Sequence, residues 1–496
     1  MRDFEELYAD NYFVKNNCLY EICVSSKGTQ EKKLCNFAPW LVREINGEWF
    51  YLMPGDDQRT VSLPGKMGHY GMERYCNEAD ISSALSLLNS GMAPAEILYP
   101  MTAFAFLSPL NHFLKLAGHE PKFVLFLVGK TGSRKSTLAA LFLSFFGRFT
   151  GAELPLSFRD TANSILQNSF TLKDVLTCID DFHPAGRYEE QKLTDTAQKI
   201  MRAYGDRTGR GRLRSDASPL ESRPPQGNAI ITGEFPPDIG ESGTARYFSL
   251  ELGSNDVDLD LLSAFQRLAA DGTLQRCMFG FTEWMRETWL RDPKHFTSVL
   301  KKNFEHLRDA FRKSCPNCHG RVPEAAAWLE IGMMMFLSFL GDRLGAERTA
   351  YNEHMEKFRA ILLRLATRQA DSITEDNPTH KYIRNLLALL QSGQVCTLPR
   401  NTTDSYVPVN CVGYEDDNYI YLLSEVAYKM VRKFCDEKGE VFTISHKALL
   451  KQLAEEGFID PSDKQNTKSI RFNGQSKRVA CLIKNKAQFS LRLHCI

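Results

Sequence analysis

The chain has 496 residues, 43% hydrophobic, 24% charged and 11% aromatic, a globular mixture that excludes a disordered chain, a collagen or a coiled-coil rod. At roughly 150 residues per domain, about three domains are expected. Lys+Arg is 61 and Asp+Glu is 60, so any nucleic-acid binding has to come from local basic patches and not from a globally basic protein.

The 13 cysteines are odd in number and scattered, which reads as reduced thiols in a cytoplasmic protein. The start, MRDFEELYAD, is acidic and has no apolar run, unlike a secretory signal. The richest apolar stretch, Trp328 to Leu340, contains Glu330 and Gly332 and is too short to span a bilayer, so no membrane association is expected.

Residues 1–95 alternate short apolar runs (CLYEICV, WLVREI, WFYLM) with polar turns, and read as strands and hairpins of a mainly β N-terminal domain. Residues 80–117 look helical. KFVLFLV, residues 122–128, is a continuous apolar run of strand length before a Gly-rich loop, and STLAALFLSFF follows with helical spacing. This strand–loop–helix unit opens an α/β core over 96–255. Val175–Ile179 and Ala229–Thr232 are further buried-strand candidates. Residues 256–375 are mainly helical, and Asp371–Pro378 reads as a linker into a small basic α/β piece at 376–496.

The strongest motif is Gly129-Lys130-Thr131-Gly132-Ser133-Arg134-Lys135-Ser136, followed by Thr137. It nearly matches G-x-x-x-x-G-K-[ST] in the right strand-to-helix context, where backbone N–H groups and a helix N-terminus face phosphates. Lys135 then holds the β/γ-phosphates and Ser136 ligates Mg²⁺, so ATP and Mg²⁺ are the expected cofactors. Arg134 stands where the motif has its second glycine. Val175–Ile179 runs into Asp180-Asp181, a hydrophobic strand delivering two carboxylates. Asp180 is expected to hold Mg²⁺ and Asp181 to polarise the attacking water.

Between the acidic pair and the third strand lies an arginine-rich segment, Arg207-Thr-Gly-Arg210-Gly-Arg212-Leu-Arg214. In extended chain, Arg210, Arg212 and Arg214 fall on one face and can follow a phosphate backbone without reading bases. The C-terminal Lys464–Ile496 carries eight Lys/Arg and no Asp or Glu. Its Asn473-Gly474 turn between SIRF and KRVACLI signals a hairpin, preceded by a helix capped by Ser445. Helix plus basic hairpin reads as a winged-helix domain with Lys477 and Arg478 on the wing, contacting DNA. Cys315-Pro-Asn-Cys318-His319 matches a haem-attachment pattern, but nothing indicates export, and no second Cys pair is spaced for zinc.

Taken together, GKTGSRKS, CIDDFHP, the arginine segment, IITGE and SGTARYF resemble an AAA+ ATPase of the helicase clade. The Asp-Asp pair resembles viral superfamily 3 helicases. The whole is most similar to the MCM-like replicative helicases of staphylococcal cassette chromosomes and related bacterial mobile elements. The resemblance implies an AAA+ core with a helical lid, and a hexameric ATP-hydrolysing ring that moves on single-stranded or forked DNA in replication of a mobile element. It leaves priming to a primase or polymerase partner. It implies a γ-phosphate sensor at Thr232 or Glu234, a trans-acting arginine finger at Arg246, and a lid sensor arginine at Arg321, which opens the helix RVPEAAAWLEIG. Competing classes are an initiator or loader that uses ATP as a switch, and a small-molecule kinase, which has no use for the arginine segment.

Overall fold

The structure is a computed structural model. It describes residues 51, 53 and 63, residues 65–486 apart from 185–186, 210–211, 214–218, 221, 317, 346, 403–405, 439, 441, 443 and 463–464, and backbone alone for earlier strands and for 187–188, 212–213, 219–220 and 375. The chain divides into two compact units, one of residues 1–237 with 245–370, the other of residues 238–244 with 371–496.

The first unit begins with two antiparallel strand pairs, Tyr20–Val24 with Gln30–Leu34 and Trp40–Arg43 with Glu48–Tyr51. Its centre is a parallel sheet of β1 (Val124–Val128), β2 (Leu156–Ser157), β3 (Leu176–Phe182), β4 (Asn228–Gly233) and β5 (Tyr247–Glu251), in the order β5-β1-β4-β3-β2. Strands covered on both faces need continuous apolar runs, and β1 is such a run. β4 comes late in the chain but inserts between β1 and β3, with Thr232 opposite Leu127 and Ile231 opposite Ile179. That insertion sets the C-terminal ends of three strands side by side, the usual place for a ligand crevice in an open α/β sheet.

Helices pack on this sheet. Arg321–Leu344 crosses Ala95–Leu107 at Gly332, where an added Cβ would lie 2.1 Å from the Ala103 carbonyl oxygen. The Phe106 and Phe336 rings stack at the same crossing, 4.0 Å apart. Among the described residues, this 24-residue helix is the one long and apolar enough to cross a bilayer by composition, and most of its apolar window is buried inside the protein. Its apolarity is that of a core helix.

The Cys315 and Cys318 side chains face each other in the structure. The pair spans the corner between Pro293–Ser314 and Arg321–Leu344, and its Cα atoms are 5.5 Å apart, within bridging reach.

The second unit holds a six-stranded sheet of β6 (Cys396–Pro399), β7 (Cys411–Glu415), β8 (Tyr419–Leu422), β9 (Ile459–Asp460), β10 (Lys468–Phe472) and β11 (Gln475–Ile483). The order is β6-β7-β8-β11-β9, with β10 also on β11. Leu386, Val431, Leu449 and Leu482 share its core, so helices Pro378–Gln391, Ser424–Lys438 and His446–Glu455 pack with the sheet. Ser445 caps the last of them, accepting from the Ala448 N–H. β10 and β11 turn on Asn473 and Gly474, both at positive φ (45° and 73°), as a tight type I′ hairpin requires.

Candidate nucleotide site

The loop after β1 approaches the end of β5 closely. A Cβ at Gly129 would lie 2.5 Å from the Leu252 carbonyl oxygen, so only glycine fits there. Gly132 and Arg134 both have positive φ, 87° and 71°. Arg134 therefore keeps the left-handed backbone that the motif normally gives to glycine, and its side chain is exposed. The loop path survives, and the departure is paid in local strain.

Lys135 opens the helix α1 (Lys135–Leu143), with Ser136 and Thr137 in its first turn. The Lys135 ammonium donates to the carbonyls of Gly129 and Lys130. Burial lowers its affinity for the proton, while Glu234, Asp180 and Asp181 act the other way. Lys130 and Thr131 are exposed at the loop tip, and Ser133 is buried below it.

β3 delivers the acidic pair through an irregularity. Its register against β4 shifts between Ile231 and Gly233, and Asp181 takes φ 68°. Consecutive residues of a regular strand face opposite sides, and the irregularity alters that alternation at Asp180 and Asp181. Ser136 Oγ donates to Asp180 Oδ1 (2.8 Å). Thr232 Oγ1 donates to the same oxygen (2.6 Å) and accepts from the Asp181 N–H (3.1 Å). One buried hydroxyl thus links both acids. Hard oxygen donors from one hydroxyl and one carboxylate suit Mg²⁺, which keeps several waters and takes its remaining ligands from phosphate.

Glu234, two residues past Thr232, reaches over the loop and accepts from the Thr131 N–H (2.9 Å) and hydroxyl. The Thr131 hydroxyl bond, followed by His183 at 3.1 Å, holds the Glu234 carboxyl below its ordinary range. The two sensor candidates therefore divide: Thr232 sits under the acidic pair and Glu234 against the loop tip. Two site residues had no assigned role from sequence. Arg159 lies 3.2 Å from Asp181, and His183 flanks Glu234. His183 was visible in CIDDFHP, but Arg159 lies beyond β2 and is brought in only by the pairing of β2 with β3.

The arginines form a separate cluster. Arg246 and Arg321 both pair with Asp206, at 3.1 Å and 2.8 Å. Burial alone would raise the Asp206 carboxyl, but hydrogen bonds from Arg246 and Arg321 outweigh it and hold it below the ordinary value. Gly205 makes room, since a Cβ there would lie 2.6 Å from the Arg246 side chain. Arg246 precedes β5, whose first residue Tyr247 lies opposite Val124 at the start of β1, whereas the phosphate loop follows Val128. The cluster is at the opposite edge of the sheet, about 13 Å away at 3.3 Å per residue. Arg321 is thus not brought to the phosphate loop of its own chain, because Asp206 and the Gly205 carbonyl hold it at that far edge.

Of the basic residues, Arg207 does not join an outward strip. Its guanidinium donates to the carbonyls of Pro121, Pro225 and Gly227 and to Asn228 Oδ1, which ties the base of the arginine segment to the core. Arg212–Leu213 pairs with Pro219–Leu220 as a short antiparallel hairpin. Arg210 and Arg214 lie outside the described residues, as does the Arg212 side chain. Lys477 and Arg478 sit in β11, not at the turn. As neighbours in a strand they face opposite sides, Lys477 donating to the Tyr414 hydroxyl and Arg478 to the Thr467 hydroxyl, so the two do not form one contact face.

Among the described residues no group of three His, Cys, Asp or Glu is placed to hold a metal ion.

This arrangement defines an α/β core of parallel strands with a P-loop type strand–loop–helix unit. A solved structure described as the active helicase Cch of SCCmec type IV shares the fold over 85% of this chain and 73% of its own, with 13% identity and a TM-score of 0.54. Weaker likenesses reach a JCV helicase (14% identity, 57% of this chain, 74% of that one, TM-score 0.23) and the NrS-1 C-terminal region (14%, 68%, 74%, 0.24). No family model matches the sequence, and no curated protein matches it.

Proposed function

We propose that the protein is an ATP-driven DNA helicase or translocase that works as a hexameric ring in the replication of a mobile genetic element. The observation that carries this reading is the meeting of Lys135, Ser136, Asp180 and Asp181 at one sheet edge, with an arginine cluster at the other.

Phosphate oxygens replace the Gly129 and Lys130 carbonyls as partners of the Lys135 ammonium, and the loop N–H groups line the same path. Ser136 and Asp180 would hold Mg²⁺, which would supply charge neutralisation on the phosphates. Thr232 fixes the Asp180 carboxylate and the Asp181 backbone, and Asp181 orients a water once Arg159 yields its place. Glu234 positions the loop through Thr131. Arg246 lies too far from its own chain's phosphate loop to assist there, so it serves the site of a neighbouring copy. A lid arginine at Arg321 acts from the same edge. Arg210, Arg212 and Arg214 follow the backbone of one DNA strand, with binding that weakens steeply in salt. The basic hairpin of the second unit, read as a winged helix, supplies a further DNA contact.

Steady-state ATPase with and without single-stranded DNA, followed by strand displacement on forked DNA, tests the reading. Wild type is expected to be stimulated by DNA and to unwind, and Lys135→Ala to do neither. Turnover in Lys135→Ala at the wild-type rate overturns the site. The second reading, an ATP-switch initiator or loader, is favoured by the strained Arg134 alone. ATP binding without DNA-stimulated turnover is its signature.

A further inference from the structure

The chain between β4 and β5 leaves the unit to which those strands belong. Residues 238–244 group with residues 371–496 in the second unit, while the chain on either side of them belongs to the first. This excursion joins two parts of the nucleotide machinery. Glu234 stands four residues before it, and Arg246 two residues after it.

Within the second unit the excursion is held at both ends. The Lys381 side chain, 4% exposed, pairs with the Asp238 carboxylate at 3.1 Å. A lysine is buried only where its charge is met. Gly240, at φ 69°, turns the chain into the single helical turn Glu241–Thr244. Asn377 Nδ2 donates to Glu241 Oε2 (3.4 Å), and the buried Thr244 hydroxyl donates to Asp376 Oδ2 (2.6 Å). The three partners, Asp376, Asn377 and Lys381, sit at the N-terminal end of one helix, Pro378–Gln391, which Asn377 caps.

Arg246 is itself held in the first unit. Its carbonyl accepts from the Val124 N–H (3.1 Å), and its guanidinium pairs with Asp206. The two anchorings meet at this arginine, because two residues of chain reach at most about 7 Å. A shift of the helix Pro378–Gln391 is passed through Asp376 and Thr244 to the backbone next to Arg246.

We propose that Asp376 and Lys381 are positioning residues for Arg246: their helix grips the β4–β5 connection and sets the arginine that serves a neighbouring copy's site, so that the second unit controls ATP turnover. The proposal rests on the reading of Arg246 as a trans-acting arginine.

Two variants of the full chain test it. Thr244→Val removes the hydroxyl and keeps the shape. Asp238→Asn with Lys381→Met removes both charges, so that neither is left buried alone. Each is expected to lower DNA-stimulated turnover about tenfold or more, with ATP affinity within about twofold of wild type. Thr244→Ser, which keeps the hydroxyl, is expected to restore turnover. Should Thr244→Val fail to fold in a thermal melt, the double variant decides. Mixing separates positioning from general damage. Either variant mixed with Lys135→Ala is expected to regain activity, since one supplies the loop and the other the arginine, whereas mixing with Arg246→Ala is expected to regain none. Variants as active as wild type beside an inactive Arg246→Ala overturn this proposal alone. So does a variant that recovers with Arg246→Ala, or fails to recover with Lys135→Ala. Arg246→Ala turning over like wild type overturns the reading of Arg246, and the proposal falls with it.

Discussion

Replacing Thr232 by Val tests the geometry of the nucleotide site most sharply, because the two side chains have nearly the same shape and differ in one hydroxyl. That hydroxyl donates to Asp180 Oδ1 and accepts from the Asp181 N–H, and Thr232 is 1% exposed. A hydrogen bond to a charged group is worth about 1.5–3 kcal/mol, and a donor left without a partner costs about 1–3 kcal/mol more where water does not reach it. Asp181 is exposed, so the second figure applies only in part, and a loss of about 2–4 kcal/mol is expected. At about 2 °C per kcal/mol for a large unit, the melting midpoint falls by about 5 °C. Misplacing the carboxylates by an ångström lowers turnover by about 10²-fold, while nucleotide binding through Lys135 and the loop persists. Thr232→Ser, which keeps the hydroxyl, is expected to stay within a few-fold of wild type. Thermal melts, nucleotide-binding titrations and steady-state ATPase read the three effects. A Val variant as stable and as active as wild type refutes the role given to this hydroxyl.

Three further outcomes follow from particular residues. Left-handed backbone costs a non-glycine residue about 1–2 kcal/mol, and glycine returns about 0.5–1 kcal/mol in chain entropy; Arg134→Gly is therefore expected to leave the melting midpoint nearly unchanged, whereas the β-branched Arg134→Val lowers it. Gly332→Ala gains about 1 kcal/mol in helix propensity but drives a Cβ into the Ala103 carbonyl, so chemical denaturation is expected to show a net loss of about 2 kcal/mol. The Asp206 carboxyl is held below its ordinary value in the folded chain, so its contribution is complete above the unfolded value of about 3.9 and is lost as pH falls below it; melts from pH 6 to about 3 are expected to show a steeper acid loss in wild type than in Asp206→Asn.

The strand, loop and helix around Lys135 were legible because each rests on local sequence: an apolar run, a glycine loop, a helical period. The acidic pair was legible for the same reason. What joins them was not. Thr232 meets Asp180 and Asp181 only because β4 inserts between β1 and β3, a register that no local pattern encodes. Arg134 departs from the motif in sequence, yet its backbone keeps the left-handed conformation of the glycine it replaces. Arg207 sits in a basic run, but its guanidinium is consumed by the carbonyls of Pro121, Pro225 and Gly227, and charge count alone does not separate a clamp from a contact. Lys477 and Arg478 lie on the expected hairpin, but strand alternation sends them to opposite faces, which charge count alone does not reveal. Arg321 opens its helix as the sequence suggests, but its pairing with Asp206, far away in sequence, has no local signal.

The claim that each ATP site is completed by a neighbouring copy is tested most directly by mixing two inactive variants. Lys135→Ala lacks the phosphate-holding ammonium and Arg246→Ala the trans-acting arginine, so each alone is expected to show no DNA-stimulated ATPase. Mixed rings pair an intact loop with an intact arginine at some interfaces, and partial activity is expected to return. If Arg246→Ala alone turns over ATP like wild type, or the mixture stays as inactive as its components, the shared-site account is contradicted.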